Sequence, residues 1–471
     1  EDHVGAVGHL WSRLRAPVYA RRFTSHHAKR KLEEQGQDPE NVTVAAPWPE
    51  TTKAGPFSVG FVPISHSIPE SSGLVIETPV GRIVHTGDFK LDPTPLVGEP
   101  FDEEVWSSIG QDGVKALVCD STNVFSPKPG RSEASLGPEI TKLIGTQEGM
   151  VVATTFASNV ARVKTLAEAG VAAGRSICLM GRAMRRMIEA SVETGVLSDF
   201  PSTVPPEDAA DIPRANLMLI VTGSQGERRA ASAALSRGKY LGLSLAEGDT
   251  FLFSSKTIPG NEKGVIRIMN AFSEMGVDVV DDQLDLYHVS GHANRPDLER
   301  MHEIIRPEML VPMHGEHRHL REHMRLGESK DIAGIVAPNG TMVDLTGAKP
   351  IVAEYIETGR TYLDGSVQIG ALVGVVRDRI RMALNGHVLV TAIIEDDEAL
   401  GEPWVELRGL PEIGQSKAPL QDVLEEDLSQ FLGRAKRKTL SDDDALEDEL
   451  KQIVRKTAQQ EIGKKPEVTV V

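Results

Sequence analysis

The period of apolar and polar positions changes along the chain, and each change marks a different kind of structure. Within residues 58–90, VGFVPISHS alternates, GLVIETP and RIVHTGD are apolar runs, and Pro79-Val80-Gly81 supplies a turn between them. This predicts antiparallel sheet. ALVCDS (116–121) predicts another strand, ending in Asp120. From about 150 to 280, beyond the loop SPKPGRSE, strand-like runs alternate with helix-like ones: VVATTF with NVARVKTLAEAG, SICLM with GRAMRRMIEASVETG, LMLIVT with GSQGERRAASAALSRG, TFLFSS with NEKGVIRIMNAFSEMG, then VDVV. Such alternation predicts parallel β-α-β units. In residues 285–345, LDLYHVSG and MLVPMHG read as strands, RPDLERMHEII and EHRHLREHMRLG as helices. Residues 346–376 read as a partly extended connector. From 377 to 471 a small α+β module is expected, with MALNGHVLVTAIIEDD and WVELRGLP as strands and two helices in VLEEDLSQFLGRAKRKTL and ALEDELKQIVRKTAQQEIG.

Open parallel sheets bind ligands beyond the C-terminal ends of their strands. The segments expected there are FASN (156–159), MGR (180–182), GSQGE (223–227) and SSKTIPGNE (254–262). These small polar loops open onto helix N-termini, which suits an anion; the same residues also serve as ordinary helix caps.

At 471 residues the chain has material for two or three domains, and 40% hydrophobic with 25% charged residues is ordinary for a globular protein. No apolar run reaches the length of a spanning helix, so no membrane role is expected. Cys119 and Cys178 both lie in strand-like runs, which argues against a disulfide framework and for a reducing, cytoplasmic setting. The net charge of −17 argues against indiscriminate nucleic-acid binding. Residues 391–471 hold 19 acids and 11 bases, hence −8 of that total, so the balance says little about a cleft elsewhere.

The candidate chemistry sits at strand ends. His66 follows an alternating strand, Asp88 follows the next long one, Asp120 ends ALVCD, and His288, His292 and His314 occupy YHVSGHA and PMHGEH. Together they predict a ligand set converging on one sheet edge, suited to zinc or manganese and less to Mg²⁺. No CxxC is present, and on this reading a structural thiolate zinc site is excluded. His317, His319 and His323 read as surface residues of the following helix. Arg162, Arg182, Arg185 and Arg186 either draw in an anionic polymer or form an ordinary solvated face.

HSIPES, HTGDFKLD, DSTN, TGSQGE, SSKTIPGNEK, HVSGH and VPMHGEHR, in this order, resemble the ribonuclease J family, in the β-CASP branch of the metallo-β-lactamase superfamily. The 22-residue interval from His292 to His314 matches that family's last two motifs. The resemblance implies an α/β fold: a metallo-β-lactamase αββα sandwich with its first strands missing, an inserted β-CASP parallel α/β domain, and a small C-terminal α+β domain. The corresponding boundaries are 1–132, 133–285, 286–376 (with linker) and 377–471. The opening EDHVGAV resembles the tail of the family's HxHxDH motif, which leads us to expect a chain cut within that motif.

By the same resemblance, Asp2, His3, Asp88 and His314 surround one zinc, while His66 and the bridging Asp88 contribute to a second; Mn²⁺ or Mg²⁺ could substitute. Asp2 would also orient the attacking water. His292 would contact the phosphate or protonate the leaving 3′ oxygen, with Asp120 fixing its orientation. Ser158, Asn159 and the loop His288, Val289, Ser290, Gly291 and His292 would grip a nucleotide upstream of the cut, with Ser224 a further member. The function so implied is 5′→3′ exoribonuclease with endoribonuclease activity, by two-metal hydrolysis of single-stranded RNA, 5′-monophosphorylated by preference, in rRNA and mRNA maturation and decay. A homodimer or homotetramer, working with RNA-decay partners, is expected. The alternatives are an inactive or weakly active RNA-binding scaffold paralogue, and a small-molecule metallo-hydrolase whose open site the 133–285 insertion would cover.

Overall fold

A computed structural model describes residues 3–282, 285–371 and 373–471. It divides into two compact units, residues 1–356 and 357–471.

The first unit is organised by two sheets. In the larger, seven strands run in the order Ala333–Gly334, Met309–Met313, Ala116–Asp120, Gly81–His85, Ser72–Thr78, Phe57–Pro63 and Thr51–Ala54. The turn at Pro79-Val80-Gly81 folds Ser72–Thr78 back antiparallel on Gly81–His85, as the alternation predicted. Gly81–His85, Ala116–Asp120 and Met309–Met313 are parallel neighbours, with His85 opposite Val118 and Met313 opposite Asp120. Strand Phe57–Pro63, antiparallel to Ser72–Thr78, points the same way. The chain therefore leaves Pro63, His85, Asp120 and Met313 at one edge of the sheet. Helices Glu103–Gln111, Arg295–Ile305 and His317–Glu328 supply apolar stripes to its core, where Trp106, Leu117, Leu298, Met301 and Leu310 are all fully buried.

The second sheet is wholly parallel, in the order Asp278–Val280, Thr250–Phe253, Val151–Thr154, Leu217–Val221, Ser176–Met180. Three of its strands are buried along their whole length, which explains their unbroken apolar runs. Helix Val160–Ala172 packs against it with ten of thirteen residues buried. The mixed sheet with its parallel α/β insert is the α/β architecture that the resemblance implied.

Several expectations need correction. LDLYHVSG forms no strand among its described residues: side chains of Arg131, Arg162 and Ser254 take its carbonyls, so no sheet neighbour is needed. The helix expected over 223–238 shrinks to Ala231–Leu235, because Gly223 (φ 110°) and Gly226 (φ 76°) hold the preceding loop in conformations a helix cannot use. The 346–376 connector contains real strands: Ile351–Tyr355 pairs with Thr341–Asp344, and Thr361–Asp364 pairs with Val367–Gly370. Of the strand expected to start at MALN, residues 382–385 end the helix Val375–Asn385 instead, and Gly386 (φ 76°) stops it.

In the second unit, His387–Glu395 lies between antiparallel Glu398–Arg408 and parallel Glu467–Val470. Leu424, Leu428 and Leu432 on one helix face Leu446, Leu450 and Val454 on another across its core.

Candidate active site

The shared strand direction decides where the polar residues collect. His66, Asp88, Asp120 and His314 all follow strands that end at the same edge, and the 288–292 loop joins them there. His3 Nε2 lies 3.0 Å from Asp88 Oδ2, and His314 Nε2 lies 2.9 Å from Asp88 Oδ1. His66 Nε2 stands 4.0 Å from Asp88 Oδ2. Asp2 lies outside the described residues. His314 adopts a left-handed backbone (φ 61°), a strained state for a residue with a Cβ and one that structures tend to keep at functional positions.

The ring nitrogens can be assigned from their partners. The Gly291 carbonyl accepts from His66 Nδ1–H at 2.6 Å. His66 Nε2 then carries a lone pair, and apart from the Ser67 hydroxyl at 3.4 Å it faces the Asp88 carboxylate, another acceptor. Two acceptors turned toward each other across 4.0 Å form a donor set for a cation, and an imidazole whose other nitrogen is bound to a carbonyl is already oriented as a ligand. The chemistry present therefore fits a metal. Burial, and then the charge of His292, push His66 down to about 4, so it stays neutral, the form that ligates. Burial alone would raise Asp88, but hydrogen bonds from His3 and His314 outweigh it and hold the carboxyl well below its usual range.

Gly291 makes this approach possible. A Cβ there would lie 2.8 Å from both His66 Cε1 and Ser67 Oγ, so a side chain would separate the 288–292 loop from His66.

His292 packs edge-on to His66, ring centroids 5.1 Å apart, and its Nδ1–H donates to Asp120 Oδ2 at 2.6 Å. Asp120 is buried; its Oδ1 accepts from the Thr122 amide (2.9 Å) and hydroxyl (2.7 Å). Burial pushes Asp120 upward, yet the hydrogen bond and charge of His292 outweigh it and keep the carboxyl below its ordinary value. For His292 burial is the opposing influence, and Asp120 raises it above its ordinary value. The result is an imidazole with one nitrogen pinned and Nε2 left over.

Beside His292 opens a cavity of about 490 Å³, lined among others by Asn123, Lys128, Arg131, Lys256, His288 and Ser290. The loop bordering it is held from three sides. Asn123 Nδ2 donates to Ser290 Oγ (2.8 Å) and His292 O (3.3 Å), and Arg131 donates to His288 O (2.8 Å). The third support is Arg162, fully buried near the start of helix Val160–Ala172. It makes a bidentate pair with Glu133, and reaches Ser254 O (2.8 Å), His288 Nδ1 (3.2 Å) and Val289 O (3.4 Å). A guanidinium can only donate, so His288 Nδ1 accepts and its proton sits on Nε2. Burial, then the charge of Arg162, push His288 down to about 3, keeping it a neutral donor.

His288, Val289, Ser290 and His292 line the cavity; Ser158, Asn159, Gly291 and Ser224 are not among its lining residues. Asn159 is buried and caps the helix, its Oδ1 accepting from Arg162 N at 3.0 Å. Ser224 is buried in the GSQGE loop, where Gln225 donates to Lys256 O at 3.0 Å. Arg162 is neither an RNA lure nor part of a solvated face, whereas Arg182, Arg185 and Arg186 are exposed. His323 is buried, contrary to its reading as a surface residue; it shares the apolar stripe of Leu320 and Leu326 at helical spacing. Sequence reasoning missed Glu133, Arg131 and Lys128 as neighbours of the site. Their only signal was a Pro/Gly loop carrying charge between two strands.

Four family models match along the chain: the metallo-beta-lactamase superfamily over residues 1–119, the ribonuclease J beta-CASP domain over 148–272, the Zn-dependent metallo-hydrolase RNA specificity domain over 277–338, and the ribonuclease J C-terminal domain over 374–471. Ribonuclease J of Sinorhizobium meliloti is 38% identical over 478 residues, covering 100% of this chain and 84% of that protein. Ribonuclease J of Mycolicibacterium smegmatis is 33% identical, with 91% and 77% covered. That of Corynebacterium glutamicum is 34% identical, with 88% of this chain but 59% of that longer protein covered. Among solved structures, a protein of unknown function from Enterococcus faecalis is similar at 17% identity and a TM-score of 0.46, covering 71% of this chain and 75% of that one.

Proposed function

The chain belongs to the ribonuclease J family, and from that premise we propose that this ribonuclease removes nucleotides 5′→3′ from single-stranded RNA and also cuts internally, with a pair of zinc ions. The observation that carries the reading is the cavity bordered by His288 and Ser290 beside the His292–Asp120 pair, on the edge where three imidazoles surround Asp88. His3, Asp88 and His314 would hold one ion, with Asp2; His66 and Asp88 would hold the other. Such metals, when bound, supply Lewis-acid charge at the scissile phosphate.

The chain's own residues do the rest. Asp120 fixes the His292 ring through Nδ1, so that Nε2–H is presented to the substrate; it stabilises the phosphoryl oxygen or delivers a proton to the departing 3′ oxygen. The 288–292 loop, braced by Arg162, Arg131 and Asn123, holds the upstream nucleotide, with the His288 Nε2–H as a fixed donor. Lys128, Arg131 and Lys256 give the cavity the cationic groups a terminal phosphate requires; Ser158, Asn159 and Ser224, outside its lining, would act on the RNA only beyond it. The domain limits 1–132, 133–285, 286–376 and 377–471 belong to this reading, as do a cytoplasmic setting, a homodimer or homotetramer, and work in RNA maturation and decay.

The test compares one RNA sequence bearing a 5′-monophosphate or a 5′-hydroxyl. We expect mononucleotide release from the first to exceed that from the second by at least tenfold, with internal cleavage alike on both. Equal mononucleotide release would refute end recognition.

A further inference from the structure

On the strand that ends in Asp120, one residue back from the catalytic edge, a second group of metal-ligating side chains meets inside the core. Cys119 comes from strand Ala116–Asp120, His302 from helix Arg295–Ile305 and His323 from helix His317–Glu328. All three are buried, at 0%, 2% and 0% exposure. One donor atom from each lies within 4.8 Å of the other two. His302 Nε2 and His323 Nε2 are 3.0 Å apart, in rings tilted by only 8°. We propose that Cys119, His302 and His323 form a structural zinc site, separate from the catalytic edge, that clips the strand to its two covering helices.

The ligand set has the composition zinc takes, thiolate with imidazole. The missing CxxC does not bear against it, because the ligands come from three elements far apart in the chain. Two imidazole nitrogens bound at about 2.0–2.1 Å in a tetrahedral shell stand roughly 3.3 Å apart, so the His302–His323 pair has to part by only a few tenths of an ångström. His323 Nδ1 lies 2.8 Å from Ser121 Oγ, the outer hydrogen bond that orients a metal-bound imidazole. His302 Nδ1 is buried without a hydrogen-bond partner. Zinc on Nε2 would leave that atom as it is, so the site rests on the meeting of the three ligand side chains and on the Ser121 contact.

Protonation states agree with this geometry. Burial first, then the charge of Lys330, push His302 down to about 4; burial first, then the repulsion that two protonated rings side by side would suffer, push His323 to about 3, so both are neutral at physiological pH. Burial pushes the Cys119 thiol up, so it is protonated until a cation displaces the proton. Binding is then balanced as follows: Zn²⁺ enters, the thiol proton leaves to solvent, and the proton between the two Nε2 atoms passes to Nδ1 of its own ring. One net positive charge remains, beside the buried Asp120 carboxylate of the next residue.

The thiolate makes the site separable by experiment from any catalytic metal, because no cysteine stands among the residues assigned to the edge. The full chain is stripped with chelator and titrated with Co²⁺, and thiolate-to-cobalt charge transfer is followed in the near ultraviolet. One charge-transfer band, saturating at one thiolate-bound ion per chain, is expected; it should vanish in Cys119→Ser, weaken at least tenfold in apparent affinity in His302→Gln, and persist in Cys178→Ser and His314→Ala. Zinc content by mass spectrometry should fall by one ion per chain in Cys119→Ser. Absence of the band in the wild type, or its persistence in Cys119→Ser, would overturn the proposal and leave a hydrogen-bonded imidazole pair only.

Discussion

Arg162 joins the parallel sheet to the loop that borders the cavity, and its replacement tests whether that junction is structural scaffolding for the site. Arg162→Met keeps the aliphatic stem and removes every donor. It strands the Glu133 carboxylate, which is 4% exposed, and takes donors from Ser254 O, Val289 O and His288 Nδ1. Tyr287 O is spared, since the Ser254 hydroxyl still donates to it at 2.6 Å. Breaking a buried ion pair by removing one partner costs about 3–5 kcal/mol. Removing both charges costs less, because no carboxylate is left unpaired; Arg162→Met with Glu133→Leu should therefore recover about 2–3 kcal/mol relative to additivity.

Hydrogen exchange read by mass spectrometry gives the local value. Peptides spanning 131–136 and 286–294 should exchange more than a hundredfold faster in Arg162→Met, about 3 kcal/mol at 1.36 kcal/mol per decade. A peptide from helix Leu420–Leu432 in the second unit serves as the internal reference. The same variant should lose its preference for 5′-monophosphorylated RNA, because the His288 ring no longer has its Nδ1 bound and its donor fixed. Unchanged exchange at 286–294, or single and double variants that simply add, would refute the assignment of Arg162 as the loop's brace.

Other expectations concern the metals, the 5′ end and acid. His292→Ala should lower turnover by at least about a hundredfold while keeping its metal content, whereas His314→Ala should lose both; a metal-free His292 variant would reverse the division of roles. Ser158→Glu puts a carboxylate at the start of helix Val160–Ala172, where an anion would otherwise be favoured, so exonucleolysis should fall far more than internal cleavage; equal losses would move the end-binding pocket elsewhere. His302 and His323 have folded values below that of the unfolded chain, so their neutral forms stabilise the fold above pH 6.5, and that stability is lost as pH falls toward 4 and then 3. At pH 5 the loss is on the order of 2 kcal/mol per imidazole. Urea unfolding of zinc-stripped protein at pH 7 and pH 5 measures it, and His302→Phe should shrink the difference by about 2 kcal/mol; an unchanged difference in that variant would contradict a neutral imidazole at His302.

What was legible in the sequence, and what was not, follows from where each residue's information lies. A strand that ends in a polar residue declares itself locally, and a run of such strands in parallel register brings their ends to one edge by topology alone; hence Asp88, Asp120 and His314 could be grouped without knowing a single distance. The 288–292 loop misled for the opposite reason. Leu286, Tyr287 and Val289 interleave with His288 and Ser290 much as in a strand, but the carbonyls of 287–289 are satisfied by side chains of Arg131, Arg162 and Ser254, and no local pattern encodes partners 33 to 157 residues away. Arg162 shows the same limit in a sharper form. A guanidinium on a helix is drawn by composition toward solvent, and only Glu133, Ser254, the Tyr287 and Val289 carbonyls and the His288 ring together offset its burial. His323 differs, since its position on the stripe Leu320–His323–Leu326 was available as a period, and the period should have outranked the residue type. A histidine on an apolar stripe must find a partner inside the core, and that requirement points directly to His302 and Cys119.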